Sequence, residues 1–245
     1  MAYTAAETET PLDPAFENDL LAIADTKLVL GNWYAECVMN GRSLPDFAGL
    51  LGMCTTNYGH TRALYQYLAA HGRDYAKLER GRSAAEIRSM NLLDAAPEGW
   101  EDFLAATWLA EQATWMLMST YLEHPDRAVA GLAKKIGQET YFHLKYVHGW
   151  LRIIGQAKKE TAAFQDAFAR RYPLALQWFG ADHDNTARDA FVREVAAVEK
   201  HLGAPLKRVD KVPLGNDWRA DARRAGPLPK GLYEVVRFKD PQLAH

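Results

Sequence analysis

Thr56-Asn57-Tyr58-Gly59-His60 and Glu139-Thr140-Tyr141-Phe142-His143 each end on a histidine embedded in apolar sequence. Around the first, Phe47, Leu50, Leu51, Cys54, Tyr58, Leu64 and Leu68 recur at three-to-four spacing, the period of a helix with one face in a core. Ser43, Pro45 and Asp46 open that helix and His71-Gly72 stops it, the first by capping and fixed φ, the second by a flexible backbone. Outward from it, the spacing predicts a helix over 14–40 behind Asp13-Pro14, another over 100–122 and a fourth over 127–154, closed by Gly155. Four long amphipathic elements with scarce strand signals predict an all-α four-helix bundle.

The flanking sequence is less regular. Residues 80–94 read as a polar, partly helical connection, and 160–171, 174–179 and 186–203 as a fifth, sixth and seventh helix, with the break at Tyr172-Pro173. From Ala204 the chain carries Pro205, Pro213, Pro227, Pro229 and Pro241, which exclude long helices. Within it, residues 231–238 alternate and are β-branched, as an edge strand or extended arm would be. The organisation expected is a flexible N-terminus (1–14), a helical domain (15–203) and an extended Pro-rich tail (204–245) lying on the bundle or on a neighbouring subunit.

Composition excludes several functions. Hydrophobic residues at 48% and charged residues at 24% are the usage of a soluble globular chain. A formal charge of -2 and a pI near 6.5 leave no basic excess for nucleic acid. The two cysteines, Cys37 and Cys54, lie in helical pattern, so a disulfide framework is not indicated. The N-terminus is acidic and polar, and no apolar run is long enough to span a bilayer. These features point to a cytoplasmic protein with no membrane partner.

The histidines suggest chemistry. In carboxylate-bridged di-iron bundles, two helices each give one Glu and two others each give Glu-x-x-His, because residues three apart share a helix face. Here Asn57 precedes His60 by three and Thr140 precedes His143 by three, while Glu36 and Glu111 are the candidate single carboxylates. The set Glu36, His60, Glu111, His143 lacks both bridging carboxylates. Two carboxylates balance one divalent ion in a low-dielectric interior, so a mononuclear site is the expected metal form. Glu139, one turn before His143, is a possible third carboxylate and would permit two ions. The same four residues can also satisfy one another by Glu–His hydrogen bonds with no metal. Trp108, Trp115, Met116 and Met118 have ordinary core spacing, and Cys37 reads as an inert thiol rather than a soft ligand. Arg62, Arg73 and Lys77, with Arg80 and Arg82, form a modest basic cluster that could contact the phosphates of a CoA group or simply be a solvated face.

Longer motifs carry a resemblance. Asn57-Tyr58-Gly59-His60-Thr61-Arg62-Ala63-Leu64-Tyr65, Trp108-Leu109-Ala110-Glu111, Lys135-Ile136-Gly137-Gln138-Glu139 before Phe142-His143, and Tyr172 to Gly180 with Asp182 and Asp184-Asn185 occur in order within residues 25–203. They resemble the phenylacetate-catabolism oxygenase family, the ferritin-like subunits of multicomponent phenylacetyl-CoA epoxidase, and the catalytic more than the structural subunit. The resemblance implies a ferritin-like bundle that holds iron, binds an aryl-CoA thioester or similar aromatic molecule, inserts one oxygen atom with electrons from a separate reductase, and forms homo- or hetero-oligomers with related helical subunits. Glu36, His60, Glu111 and His143 match its metal ligands, while Asn57 and Thr140 replace its bridging Glu residues. The expectation is an oxygenase subunit with an altered metal site. The alternatives are a non-catalytic structural subunit with a degenerate site and the tail as an embracing arm, or a ferritin-like metalloprotein with another reaction.

Overall fold

Asp13 accepts hydrogen bonds from the backbone N–H of Ala15 and Phe16, both at 3.0 Å, and Pro14 follows it, so helix α1 begins at Pro14 and runs to Cys37. Ser43 caps α2 (Leu44–Ala70), Gly99 precedes α3 (Trp100–Ser119), and Asp126 caps α4 (Arg127–Ile154). The computed structural model describes residues 12–180 and 185–236. The expected flexible N-terminus falls almost wholly outside them, as do Asp182, Asp184, Arg237 and Phe238.

Helices α1 to α4 form the bundle: α1 packs on α2 and α3, and α4 packs on α2 and α3. The all-α, ferritin-like expectation holds. Two helices are buried on all sides over long stretches: every residue from Leu20 to Gly31 of α1 and from Asp102 to Thr114 of α3 is buried. Trp108, Met116 and Met118 are in the core and Trp115 packs against it.

Two sequence expectations give way to the structure. The fifth and sixth predicted helices are one, α5 (Lys158–Trp178), which runs through Pro173. Proline removes one helical hydrogen bond and disfavours the preceding residue's helical conformation, but both preceding side chains are pinned. Arg171 bonds Asp102 of α3 at 2.6 and 2.7 Å, and Tyr172 stacks between Phe168 and Phe191. Helix α6 (Thr186–Leu202) ends as expected, at Gly203 with φ of 70°. Both α5 and α6 lie on α3.

The tail holds a two-residue antiparallel pair, β1 (Trp218–Arg219) with β2 (Arg224–Ala225). Residues 231–236, predicted extended, belong to helix α7 (Lys230–Val236). Pro229 stands just before its first turn and accepts the Tyr233 N–H at 2.8 Å, and its inward residues Leu232, Tyr233 and Val236 recur at helical spacing that the alternation masked. The described part of the tail, up to Val236, packs on the connection between α2 and α3: buried Arg224 bonds Ser89 O at 3.0 Å and Asp94 at 2.9 Å, and Tyr233 donates to Arg82 O at 2.8 Å.

Buried charge closes the connection between α2 and α3. Fully buried Asp25 of α1 accepts two bonds from Arg82, at 2.7 and 2.8 Å, one from Tyr65 at 2.5 Å and one from the Arg88 backbone at 2.7 Å. At the other end of the bundle, a Cβ on Gly155 would stand 2.1 Å from the Leu202 carbonyl oxygen, a backbone atom that cannot swing aside. Gly155→Ala is therefore expected to lower stability by about 1–3 kcal/mol, measured as a fall in the urea midpoint; an unchanged midpoint would contradict the α4–α6 packing.

Candidate functional site

Lys27 and Glu36 lie nine positions apart on α1, about two and a half helical turns, so the two side chains leave the helix on opposite faces. The structure turns Lys27 inward, fully buried, and leaves Glu36 exposed. The ammonium of Lys27 donates to Glu111 Oε2 and, at 3.4 Å, to Thr140 Oγ1. Glu111 Oε1 accepts three further bonds, each 2.9 Å long, from Tyr34 OH, Asn57 Nδ2 and His143 Nδ1. One carboxylate thus ties α1, α2 and α4 to α3.

The electrostatics agree with this pairing. Burial works to raise the Glu111 pKa, but Lys27 and then His143, each acting through charge and through a hydrogen bond, outweigh it and hold the group well below the usual carboxylate range. Burial beside ionised Glu111 drives the Tyr34 hydroxyl well above its ordinary value, so it stays a donor.

His60 lies at the edge of the same cluster, its ring 6.5 Å from that of His143. Burial, reinforced by the Lys27 charge, pushes its pKa down to about 2. The imidazole is neutral, so its 2.6 Å contact from Nε2 to half-exposed Glu139 is a hydrogen bond rather than an ion pair. That leaves His60 Nδ1 and Asn57 Oδ1 as buried acceptors with no partner among the described residues.

Of the residues anticipated from sequence, His60, Glu111, His143, Asn57, Thr140 and Glu139 come together, and Glu36 does not. Lys27 and Tyr34 were missed. Their signal was available: a lysine inside the apolar run from Leu20 to Trp33, with a tyrosine two turns on along one face. His148 turns to Trp108 Nε1 at 3.1 Å. Cys37, pushed up to about 11 by burial and by Glu36, is an unreactive thiol.

The basic residues divide. Arg73 and Lys77 line a cavity of about 170 Å³ together with Arg82, Arg88 and Arg219, whereas Arg62 is exposed on α2. Four of the lining cations already face carboxylates: Arg73 with Glu17, Lys77 with Glu86, Arg82 with Asp25, and Arg219 with Asp221.

A family model described as phenylacetic acid catabolic protein matches residues 3–225. The chain belongs to that family. No curated protein matches it, and among the described residues no helix is long and apolar enough to cross a membrane.

The di-iron centre implied by the phenylacetic acid catabolic family does not fit these residues. Both oxygens of Glu111, the one fully buried carboxylate of the cluster, are taken up by protein donors. Lys27 supplies the positive charge that Glu111 balances, and a divalent ion added beside it would leave an excess that buried surroundings penalise heavily. Among the described residues no group of three or more His, Cys, Asp and Glu side chains is placed to hold a metal ion.

Lys27→Met is expected to destabilise the protein by about 3–5 kcal/mol, the cost of leaving Glu111 buried without its cation. Lys27→Met with Glu111→Gln should recover part of that loss in a double-mutant denaturation cycle; additive losses would show that the two do not act as a pair. His60 and His148, the latter pushed down to about 4 mainly by burial, take up protons between pH 6.5 and 4.5 chiefly in the unfolded chain. Stability is therefore expected to fall as pH drops from 6.5 to 4.5. His60→Asn should reduce that slope by roughly 1.4 kcal/mol per pH unit, measured by urea unfolding across the interval.

Proposed function

We propose that this chain is a non-catalytic subunit of a phenylacetate-type multicomponent oxygenase, in which a buried ammonium does the cross-linking that a metal pair does in a catalytic bundle. The observation that carries the reading is Lys27 Nζ seated on Glu111 at the centre of the four helices. From this position it reaches α3 through Glu111 and α4 through Thr140, as a bridging metal would, while the bundle interior stays charge-balanced.

The reading also explains why a metal-site constellation is half kept. Glu111 needs donors because it is buried, and Tyr34, Asn57, His143 and Lys27 supply them. Asn57 and Thr140, standing where the family has bridging carboxylates, are neutral partners of a site that already holds one cation and one anion. A second pair of carboxylates here would be uncompensated. Glu111 and His143 thus serve the fold with no requirement for redox chemistry. An aryl-CoA substrate would then be oxidised on a metal-holding relative, with this chain as its structural partner.

After anaerobic incubation with Fe(II) and desalting, the protein is expected to retain well under one iron per chain by plasma mass spectrometry. Co-expressed with a family relative that carries both Glu-x-x-His halves, it should elute as a mixed complex whose iron belongs to that relative. Retention of one or more irons by this chain alone would overturn the proposal and restore the altered-site oxygenase.

A further inference from the structure

The basic cavity lies away from the Lys27–Glu111 centre and has no part in the reading above. Its wall is drawn from three parts of the chain: Leu21 from α1, Arg73, Lys77 and Arg88 from the connection between α2 and α3, and Arg219 and Ala222 from the tail.

Its five cations are not equivalent. Arg82 is buried, and its guanidinium is engaged by Asp25, Tyr65 and the carbonyl oxygens of Leu78 and Glu86. Arg73, Lys77 and Arg219 are about half exposed and face Glu17, Glu86 and Asp221; exposed pairs of this kind add little net stability and give way to a better anion. Arg88 alone of the five has no ion pair among the described residues. Its Nη1 donates to the neutral Asn18 Oδ1, and among those residues its Nε and Nη2 have no acceptor. Burial pulls its pKa down against the opposite pull of Asp25 and Asp221, which already balance Arg82 and Arg219. A half-buried guanidinium with two unused donors is completed by an anion from outside.

Donors and space define that anion. Guanidinium forks match the oxygens of phosphate, and Arg73, Lys77 and Arg219 can turn toward it from different sides. The lining carboxylates, Asp74 and Glu86, are partly offset by backbone donors, the Lys77 N–H at 3.1 Å and the Ser83 N–H at 2.8 Å. The cavity, about 170 Å³, is smaller than the roughly 300 Å³ at which pockets for larger organic ligands begin, so it suits one small oxyanion and not a nucleotide-bearing coenzyme. Arg219 reaches it from the tail, which is held to the connection beside the cavity by the Leu228 N–H on Ala84 O at 2.9 Å.

We infer that this cavity binds one phosphate-class oxyanion, held by Arg88 and closed over by Arg73, Lys77 and Arg219, so that binding fastens the tail to the connection. The inference is independent of the reading of the Lys27–Glu111 centre.

Titration calorimetry of the full chain with inorganic phosphate, at constant ionic strength against chloride, should give one site with a Kd of about 1 mM or tighter. Phosphate should also slow amide hydrogen exchange at β1 and β2. Arg88→Gln keeps the backbone N–H that bonds Asp25 at 2.7 Å, so it should retain wild-type helix content by circular dichroism while raising the Kd at least about tenfold. Arg88→Lys should recover part of that loss, and Arg219→Gln should weaken binding and abolish the added protection of the tail. Arg193→Gln, exposed on α6, should behave as wild type. Absence of saturable phosphate binding, equal affinities for Arg88→Gln and Arg193→Gln, unchanged exchange at β1 and β2, or binding of coenzyme A with none of free phosphate would overturn the inference.

Discussion

An ammonium buried with a carboxylate organises the centre of this bundle. Such a pair is costly to form, since both charges leave water, and it persists only where every remaining donor and acceptor is matched. Glu111 meets that demand with four donors drawn from three other helices. The roles of the neighbouring residues follow: Tyr34 remains protonated, and Asn57 and Thr140 are neutral where carboxylates would be unbalanced. His60, which borders the pair without joining it, keeps a nitrogen with no partner among the described residues.

A second buried charge knot shares the same helix. Asp25, two residues before Lys27, gathers Arg82, Tyr65 and the Arg88 backbone on a different face of α1. Opposite charges two positions apart cannot exchange faces without rotating the whole helix, so the pairings on either side set the rotation of α1 about its axis. Arg171 and Arg224 repeat the pattern of a buried guanidinium reaching carboxylate and carbonyl together.

Much of this was legible in the sequence. The four long helices, their caps at Asp13 and Ser43, and the ends at Gly155 and Gly203 follow from local chemistry. Meeting of His60, Glu111 and His143 follows from helical spacing and family likeness. Glu36 was misplaced because both it and the inward face of α1 lie in apolar sequence, and periodicity alone does not say which face meets the other helices when the helix is buried all round. Lys27 escaped notice because lysine is ordinarily a surface residue, and its burial is explained only by a carboxylate far along the chain. Continuation of α5 through Pro173 depends on Arg171 and Tyr172 finding distant partners, which no local signal encodes. The α7 segment was read by its alternation although Pro229, a helix-opening residue, stood just before it.

The cross-link at the centre has a consequence for how the fold responds to its surroundings. A bundle closed by bound ions is stabilised in proportion to the logarithm of free ion concentration, and weakens when that ion is scarce. Lys27 is carried by the chain itself, so this closure is never diluted, needs no loading step after synthesis and is indifferent to chelators. On the proposed reading, such a chain reaches its folded form ahead of any metal supply and remains in it when iron is withdrawn.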